Sequence, residues 1–526
     1  MKDFLRIICV SVLMFATSCE DTLDLTPIDT GSVDGFFTST TDVIAGVNGV
    51  YNSFTGSWWG GAFIHVQPHF EAVTENAVIC CAWEYQYKAI AQGTFSPNTG
   101  GVVTWKWDYG YRAIFRINSI LEVIESGVIE DLDSSSDTYK QIVGELRFLR
   151  AYVYHELTFL YGDVPLVLKT LTPAEARVIT RTARSQVEDA MYADMDYAIA
   201  NLQETPFQGE FGRPTKQAAL SLKGRAQLFR NDFANAASTL AQVIAMEGGA
   251  VDLDPNYESL FRGSNEQSPE IIFSLQYVDS EVGAGEGNFL GAHYGPNQLA
   301  GTTASQGQGW GAFQFTQHLI DDYYMTDGLP FDQSPLYDPD NPFANRDSRF
   351  SGTFFFPGET YRGTVLIENN FNSNGAVKDI PIASRKWKNE TSNNSFSSNG
   401  GEDFILIRYA DILLMWAEAT NEISGPTAAV YEAVNKVRAR VGMPNFDVGS
   451  HTMESMRDEI KHERKVEFFM EGTRYYDLLR WRDAETVLLM PNINEARTFD
   501  PGKHYLWPIP QFAIDQSPSI TQNPGY

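Results

Sequence analysis

Cysteine is nearly absent from this chain: four in 526 residues, two of them, Cys9 and Cys19, in the first twenty. The remaining pair, Cys80 and Cys81, is adjacent, so neither a disulfide framework nor a cysteine-based zinc site can be built. The adjacent thiols leave two readings open, a strained vicinal disulfide or two free buried thiols. Positive charge is also scarce, with 39 Lys and Arg against 67 Asp and Glu and a formal charge of −28. Such acidity repels phosphate backbones and anionic membrane surfaces, which excludes nucleic acid as a partner and favours a neutral ligand.

Long apolar runs are missing too. The stretch from Ile7 to Ala16, preceded by Lys2 and Arg6, is about half the roughly 20 residues a membrane-spanning helix needs. It reads as a signal peptide over residues 1–18. Ala16, Thr17 and Ser18 before Cys19 form a lipobox, although Ala16 stands where Leu is commoner. Cys19 is therefore the expected lipidated N-terminus, held by several acyl chains in the outer membrane. A Thr-, Asp- and Pro-rich tether over 19–32 should lift the body off the lipid.

Catalytic motifs are lacking as well. His155 and Glu156 begin like a zinc-protease helix, but Phe159 stands where the second histidine is required. Asp252, Asp254 and Asn256 begin like a calcium loop, yet Tyr257 replaces the turn glycine and Gly263 the closing glutamate. No GxSxG elbow is present, and Gly307, Gly309 and Gly311 lack the strand and helix of a nucleotide site. The reading is of a protein that is not an enzyme, with no metal ligands and no cofactors.

What is present is helical periodicity and aromatic residues, the latter 13% of the chain. Helices are predicted over Asp42–Phe54, Tyr109–Ile129 and Tyr139–Tyr161; in the last, Leu146, Leu149, Val153, Leu157 and Leu160 line one face. Thr215–Phe229 and Phe233–Met246 form a helix pair in which Gly224, Ala236, Leu240 and Val243 fit tetratricopeptide spacing. Phe404–Glu422 and Thr427–Val441 repeat the pattern, with Ala417 and Ala429 as its small residues. From about Asp252 to Gly401 the chain is dense in Gly, Asn, Ser, Pro and aromatics, with strand-like runs at Glu270–Tyr277 and Ser351–Phe356. Basic Lys461–Arg482 interleaves with Glu463, Glu467, Glu471 and Asp477, which predicts a salt-bridge network rather than a binding patch.

Several segments together resemble the SusD/RagB family of nutrient-binding outer-membrane lipoproteins: CEDTLDLTP at the start, ELRFLRAYVYHELTFLYGDVPLV at 145–167, GRPTKQAALSLKGRAQLF at 212–229, FILIRYADILLMWAEATNE at 404–422, VNKVRARVGMP at 434–444, IKHERKVEFFMEGTRYYDLLRW at 460–481 and the terminal YLWPIPQFAIDQSPSITQNPGY. The resemblance implies a mainly α fold, a scaffold of tetratricopeptide-like helix pairs with an irregular, loop-rich C-terminal half. It divides the chain into an N-terminal helical region, 33–250, and a C-terminal region, 251–526. It also implies a function: capture of a glycan outside the cell and delivery to a SusC-like TonB-dependent transporter, with Glu20 and Asp21 resembling an address facing the medium. Peptide or other nutrient binding, or a non-catalytic assembly role, are the alternatives on the same scaffold.

Sugar capture needs flat apolar faces for the C–H side of a pyranose and polar groups at its edge, and Trp and Tyr supply both. By position in the family, two segments should form the ligand site, one near Cys80–Tyr87 with Trp83, Tyr85 and Tyr87, the other near Asn288–Trp310 with His293, Tyr294, Asn297 and Trp310. Trp58, beside Trp59 in a glycine-flanked loop, is a further candidate, whereas Trp416 lies in an apolar helix and is read as packing.

Overall fold

Hydroxyl side chains start several of the helices. In the computed structural model, which describes residues 36–55, 62–64, 67–79, 84–279, 287–297, 309–361, 363–372, 379–391, 400–490 and 495–526, Ser136, Thr215 and Thr427 each accept a backbone N–H three residues on. The signal peptide, Cys19, the tether, Trp58, Trp59, Cys80, Cys81 and Trp83 lie outside the described residues.

The helices used below are α1 (Thr40–Thr55), α2 (Tyr85–Ala91), α3 (Val102–Ser126), α4 (Asp137–Tyr161), α5 (Arg184–Asn201), α6 (Lys216–Leu228), α7 (Phe233–Ile244), α8 (Leu290–Tyr294), α9 (Tyr409–Ser424), α10 (Ala428–Arg440), α11 (Met453–Glu467) and α12 (Arg474–Trp481). The strands used below are β1 (Ala77–Ile79), β2 (Ile271–Leu275), β3 (Phe313–Phe315) and β4 (Phe404–Arg408). Consecutive helices pack as antiparallel pairs, α3 on α4, α4 on α5, α6 on α7 and α9 on α10, and α7 stacks on α9 to join the two halves. The fold is mainly α. Among the described residues no helix is long and apolar enough to cross a membrane.

The predicted stripe of α4 is interior: Leu146, Leu149, Val153, Leu157 and Leu160 are all buried. In the α6–α7 pair, Gly224, Ala236, Leu240 and Val243 are buried together. The second pair needs correction. Phe404–Arg408 is not helical but a strand, β4, which pairs antiparallel with β2, and helix α9 begins only at Tyr409. An apolar run of that length carries no periodicity that separates a buried strand from a buried helix. Ala417 is buried, but Ala429 is exposed, and Ala433 faces the pair's interior instead. The run Ser351–Phe356 is likewise mostly the end of a short helix, Ser348–Thr353, with a strand only at Phe354–Phe355.

Candidate functional site

A short strand pairing builds the site. Ala77, Val78 and Ile79 of β1 sit opposite Phe315, Gln314 and Phe313 of β3, which lays a 3-10 turn at Gln67–Val73 and helix α2 beside helix α8 and the segment that follows it. The two stretches named by position in the sequence are thereby brought together. His69 lies 5.0 Å from the Tyr87 ring and 4.9 Å, edge-on, from His293. The Trp310 ring packs on His293 at 4.7 Å and an interplanar angle of 67°. Its backbone N–H donates to the Ala292 carbonyl.

The predicted rings divide into two sets. Tyr85 is 55% exposed and Trp310 is partly exposed. Tyr87 and Tyr294 are interior, at 0% and 1% exposure, and neither presents a face to a ligand. This corrects their reading as stacking platforms. Tyr87 lies on the face of α2 opposite to Tyr85 and packs edge-on against Phe70, and Tyr294 packs on Phe313 and hydrogen-bonds His69 Nδ1 at 2.6 Å. Burial raises the hydroxyl pKa of both tyrosines far above the ordinary value. Asn297 is also buried: its backbone N–H donates to the Asn370 carbonyl at 2.7 Å and its side chain reaches toward the Trp310 carbonyl. Asn297 therefore holds the Trp310 segment in place rather than facing solvent.

Beneath these rings lies a polar cluster of which sequence reading named only His293. Glu84 Oε1 lies 3.5 Å from His69 Nε2 and 3.4 Å from His293 Nε2. Burial pushes the Glu84 carboxyl up, but His69 and His293 outweigh it and hold the group far below the carboxylate range. Burial pulls the His293 imidazole down, against the opposing pull of Glu84. Nearby, burial raises Glu71 to about 7, although its carboxylate accepts from Asn76 Nδ2 and the Met470 N–H. No local spacing could have signalled this cluster, since its members come from three separate segments.

A second concavity, a cleft of about 380 Å³, is lined by Tyr51, Phe211, Arg213, Gln276, Tyr277 and Val278 among others. Phe211 and Val278 are exposed there, and Arg213 is tied to Glu145 at 2.9 Å and Glu210 at 2.6 Å. Sequence reading assigned none of these residues to a site, because they come from segments far apart in the chain and share no spacing.

The basic stretch Lys461–Arg482 is an internal ion network. Arg464 binds Asp411 and Asp477 at 2.7 and 2.9 Å, and Arg480 grips Glu418. Glu467 receives Arg349 at 2.8 Å and Arg408 at 2.6 Å, and also Arg440. Most of these links join different elements; the predicted intrahelical spacing survives in Arg480–Asp477. The residues that resembled catalytic fragments have structural partners: Glu156 pairs with Lys106 at 2.9 Å, and Asp254 accepts from Asn256, Asn265 and Ser268. Burial lowers the His155 imidazole to about 3, so it is neutral packing against Phe229.

Comparison with known proteins covers almost the whole chain. The sequence model of the SusD family matches residues 269–526, and one described as starch-binding and associating with the outer membrane matches residues 67–228. A SusD-like protein of Formosa agariphila is 26% identical over 556 aligned residues, covering 99% of each chain. A SusD-like carbohydrate-binding protein of Bacteroides fragilis, known as a crystal structure, superposes with a TM-score of 0.80 at 25% identity, over 92% of this chain and all of the other. A laminarin-binding SusD-like protein shares the fold, with a TM-score of 0.72 at 22% identity over 93% of this chain and 100% of its own. With its two halves matched in chain order and its helix pairs shared, the chain belongs to the SusD/RagB family.

Proposed function

We propose that this protein is a surface lipoprotein that captures a glycan, without transforming it, and delivers it to a SusC-like TonB-dependent transporter. The observation that carries the reading is the meeting of α2 with the α8–β3 segment, which leaves Tyr85 and Trp310 at the surface around a rigid aromatic interior. Trp310, held against His293, presents a pyranose-stacking face at little entropic cost, and Tyr85 offers a second, exposed ring. Solved relatives support the ligand class, since one is described as laminarin-binding and a surface glycan-binding protein of Bacteroides thetaiotaomicron was solved with laminarihexaose. The acidic surface suits a neutral polysaccharide. The mature chain is anchored through Cys19 in the outer membrane and faces the medium. Residues 33–250 act as the scaffold and 251–526 as the region that shapes the binding face.

Affinity electrophoresis through laminarin and other soluble polysaccharides tests the ligand class. Retardation by one of them, weakened about tenfold or more, or about 1.4 kcal/mol, by Tyr85→Ala with Trp310→Ala, is the expected result. Retardation that is unchanged in the double variant rejects these rings. Mass spectrometry of the mature N-terminus tests acylation of Cys19, and recovery of a large barrel protein in mild detergent tests the transporter partnership.

A further inference from the structure

The cluster under Trp310 has the construction of a metal centre. His69, Glu84 and His293 are all buried, and their ligand atoms lie within 4.8 Å of one another. The distances from Glu84 Oε1 to the two imidazole nitrogens, 3.5 and 3.4 Å, are long for charge-assisted hydrogen bonds, which run about 2.7–2.9 Å. They match the edges of a tetrahedron drawn with bonds of about 2.0–2.2 Å to nitrogen and oxygen. His69 Nε2 makes no hydrogen bond at all although it is fully buried, a desolvated polar atom aimed at the carboxylate.

The outer contacts are those a metal centre needs. His69 Nδ1 meets the Tyr294 hydroxyl at 2.6 Å, His293 Nδ1 faces the Phe289 carbonyl at 3.3 Å, and Glu84 Oε2 accepts from Gln86 Nε2 at 2.8 Å. Each ligand thus has its second polar atom engaged, which fixes ring orientation and leaves both Nε2 atoms facing Glu84 Oε1. Apolar rings of Tyr87, Phe313 and Trp310 wall the cluster off. Among the described residues the donors are two imidazoles and one carboxylate, with no thiolate and no oxygen cage, a set that suits a first-row divalent ion and not Ca²⁺ or Mg²⁺.

We infer that His69, Glu84 and His293 bind one divalent transition-metal ion of the zinc class, with a fourth position left for water. The ion ties the 3-10 turn, the start of α2 and helix α8 together, and so fixes from below the segment that carries Trp310. This assignment is independent of the glycan reading, because it rests on buried donor atoms and not on the surface rings.

Zinc is titrated calorimetrically into untagged mature protein stripped with a chelator. One Zn²⁺ per chain is expected, with affinity falling about 100-fold or more in His69→Gln, Glu84→Gln and His293→Gln. Tyr294→Phe, which removes only an outer contact, should cost about 10- to 100-fold. Absence of stoichiometric zinc, or affinity unchanged in all three ligand variants, overturns the assignment. Should the variants fail to fold, X-ray absorption of the zinc-loaded natural protein decides: two imidazoles with nitrogen and oxygen at about 2.0–2.1 Å support it. A shell of water alone, or one containing sulfur, rejects this ligand set.

Discussion

Gly224 and Leu240 meet where helices α6 and α7 come closest: a Cβ built on Gly224 would lie 2.4 Å from Leu240 Cδ2 and 2.5 Å from Cγ. Leu240 is fully buried and has no room to retreat. Gly224→Val should therefore destabilise the protein by about 1–3 kcal/mol through overpacking, and Leu240→Ala by about 2–5 kcal/mol through a cavity. Together they should cost at least about 0.5 kcal/mol less than their sum, because each relieves the other. Strict additivity in urea denaturation would show that the two helices do not touch here.

Glu467 carries a heavier load than any surface acid. It is fully buried and receives Arg349, Arg408 and Arg440, and these cations hold its carboxyl well below the usual range despite the opposing effect of burial. Glu467→Gln leaves three guanidinium groups short of one negative charge and should cost about 3–5 kcal/mol. The pair Glu422–Arg457 is a control of the same chemistry at the surface, with the arginine side chain 32% exposed. Glu422→Gln should cost about 1 kcal/mol or less. Thermal denaturation of the two variants side by side checks the contrast.

The same physics explains what could be read from the chain and what could not. Helix α4 was legible because Leu146 through Leu160 repeat at the helical period, and the α6–α7 pair because Gly224 and Leu240 keep a fixed offset. Strand β4 was not, since Phe404–Ile407 is apolar without a break and its partner β2 lies far away in sequence. Tyr87 and Tyr294 were assigned to the ligand site by position in the family, yet burial is decided by the β1–β3 pairing, which closes over His69 and Tyr294, 225 residues apart. The two segments named by position in the family meet around His69 and His293; which side of each faces solvent depended on that non-local closure.

Acid should loosen the joint between the C-terminal helices and their neighbours. Burial raises the Asp411 and Glu75 carboxyls, but Arg464 and Arg225 bring the first down to about 2, and Arg474 and Lys465 do the same for the second. A carboxyl whose folded value lies below its unfolded value stabilises fully above the unfolded value, about 4 here, and loses that contribution as pH falls toward 2. Each contributes on the order of 2–3 kcal/mol at neutral pH. The Asp411 and Glu75 contributions should thus be constant from pH 7 to 5, and urea midpoints should fall steeply between pH 4 and 2 as both are lost. In Asp411→Asn the protein should be less stable at pH 7 and the acid slope shallower; an unchanged slope would remove Asp411 from this role.

The two sets of aromatic residues should separate stability from binding. Tyr294 fills the interior and supplies the hydroxyl that meets His69 Nδ1, so Tyr294→Ala opens a cavity and strips a buried imidazole of its partner. The cost should be about 3–5 kcal/mol, as for other large aromatic truncations. Tyr85, more than half exposed, loses little packing on truncation, and Tyr85→Ala should change stability by no more than about 0.5 kcal/mol. Its effect on polysaccharide retardation then reports on ligand contact alone, because the fold beneath it is intact. Chemical denaturation and affinity electrophoresis on the same two preparations make the test. A Tyr294→Ala protein as stable as the parent would mean that ring stands in solvent, and the interior closure built by β1 and β3 would be wrong.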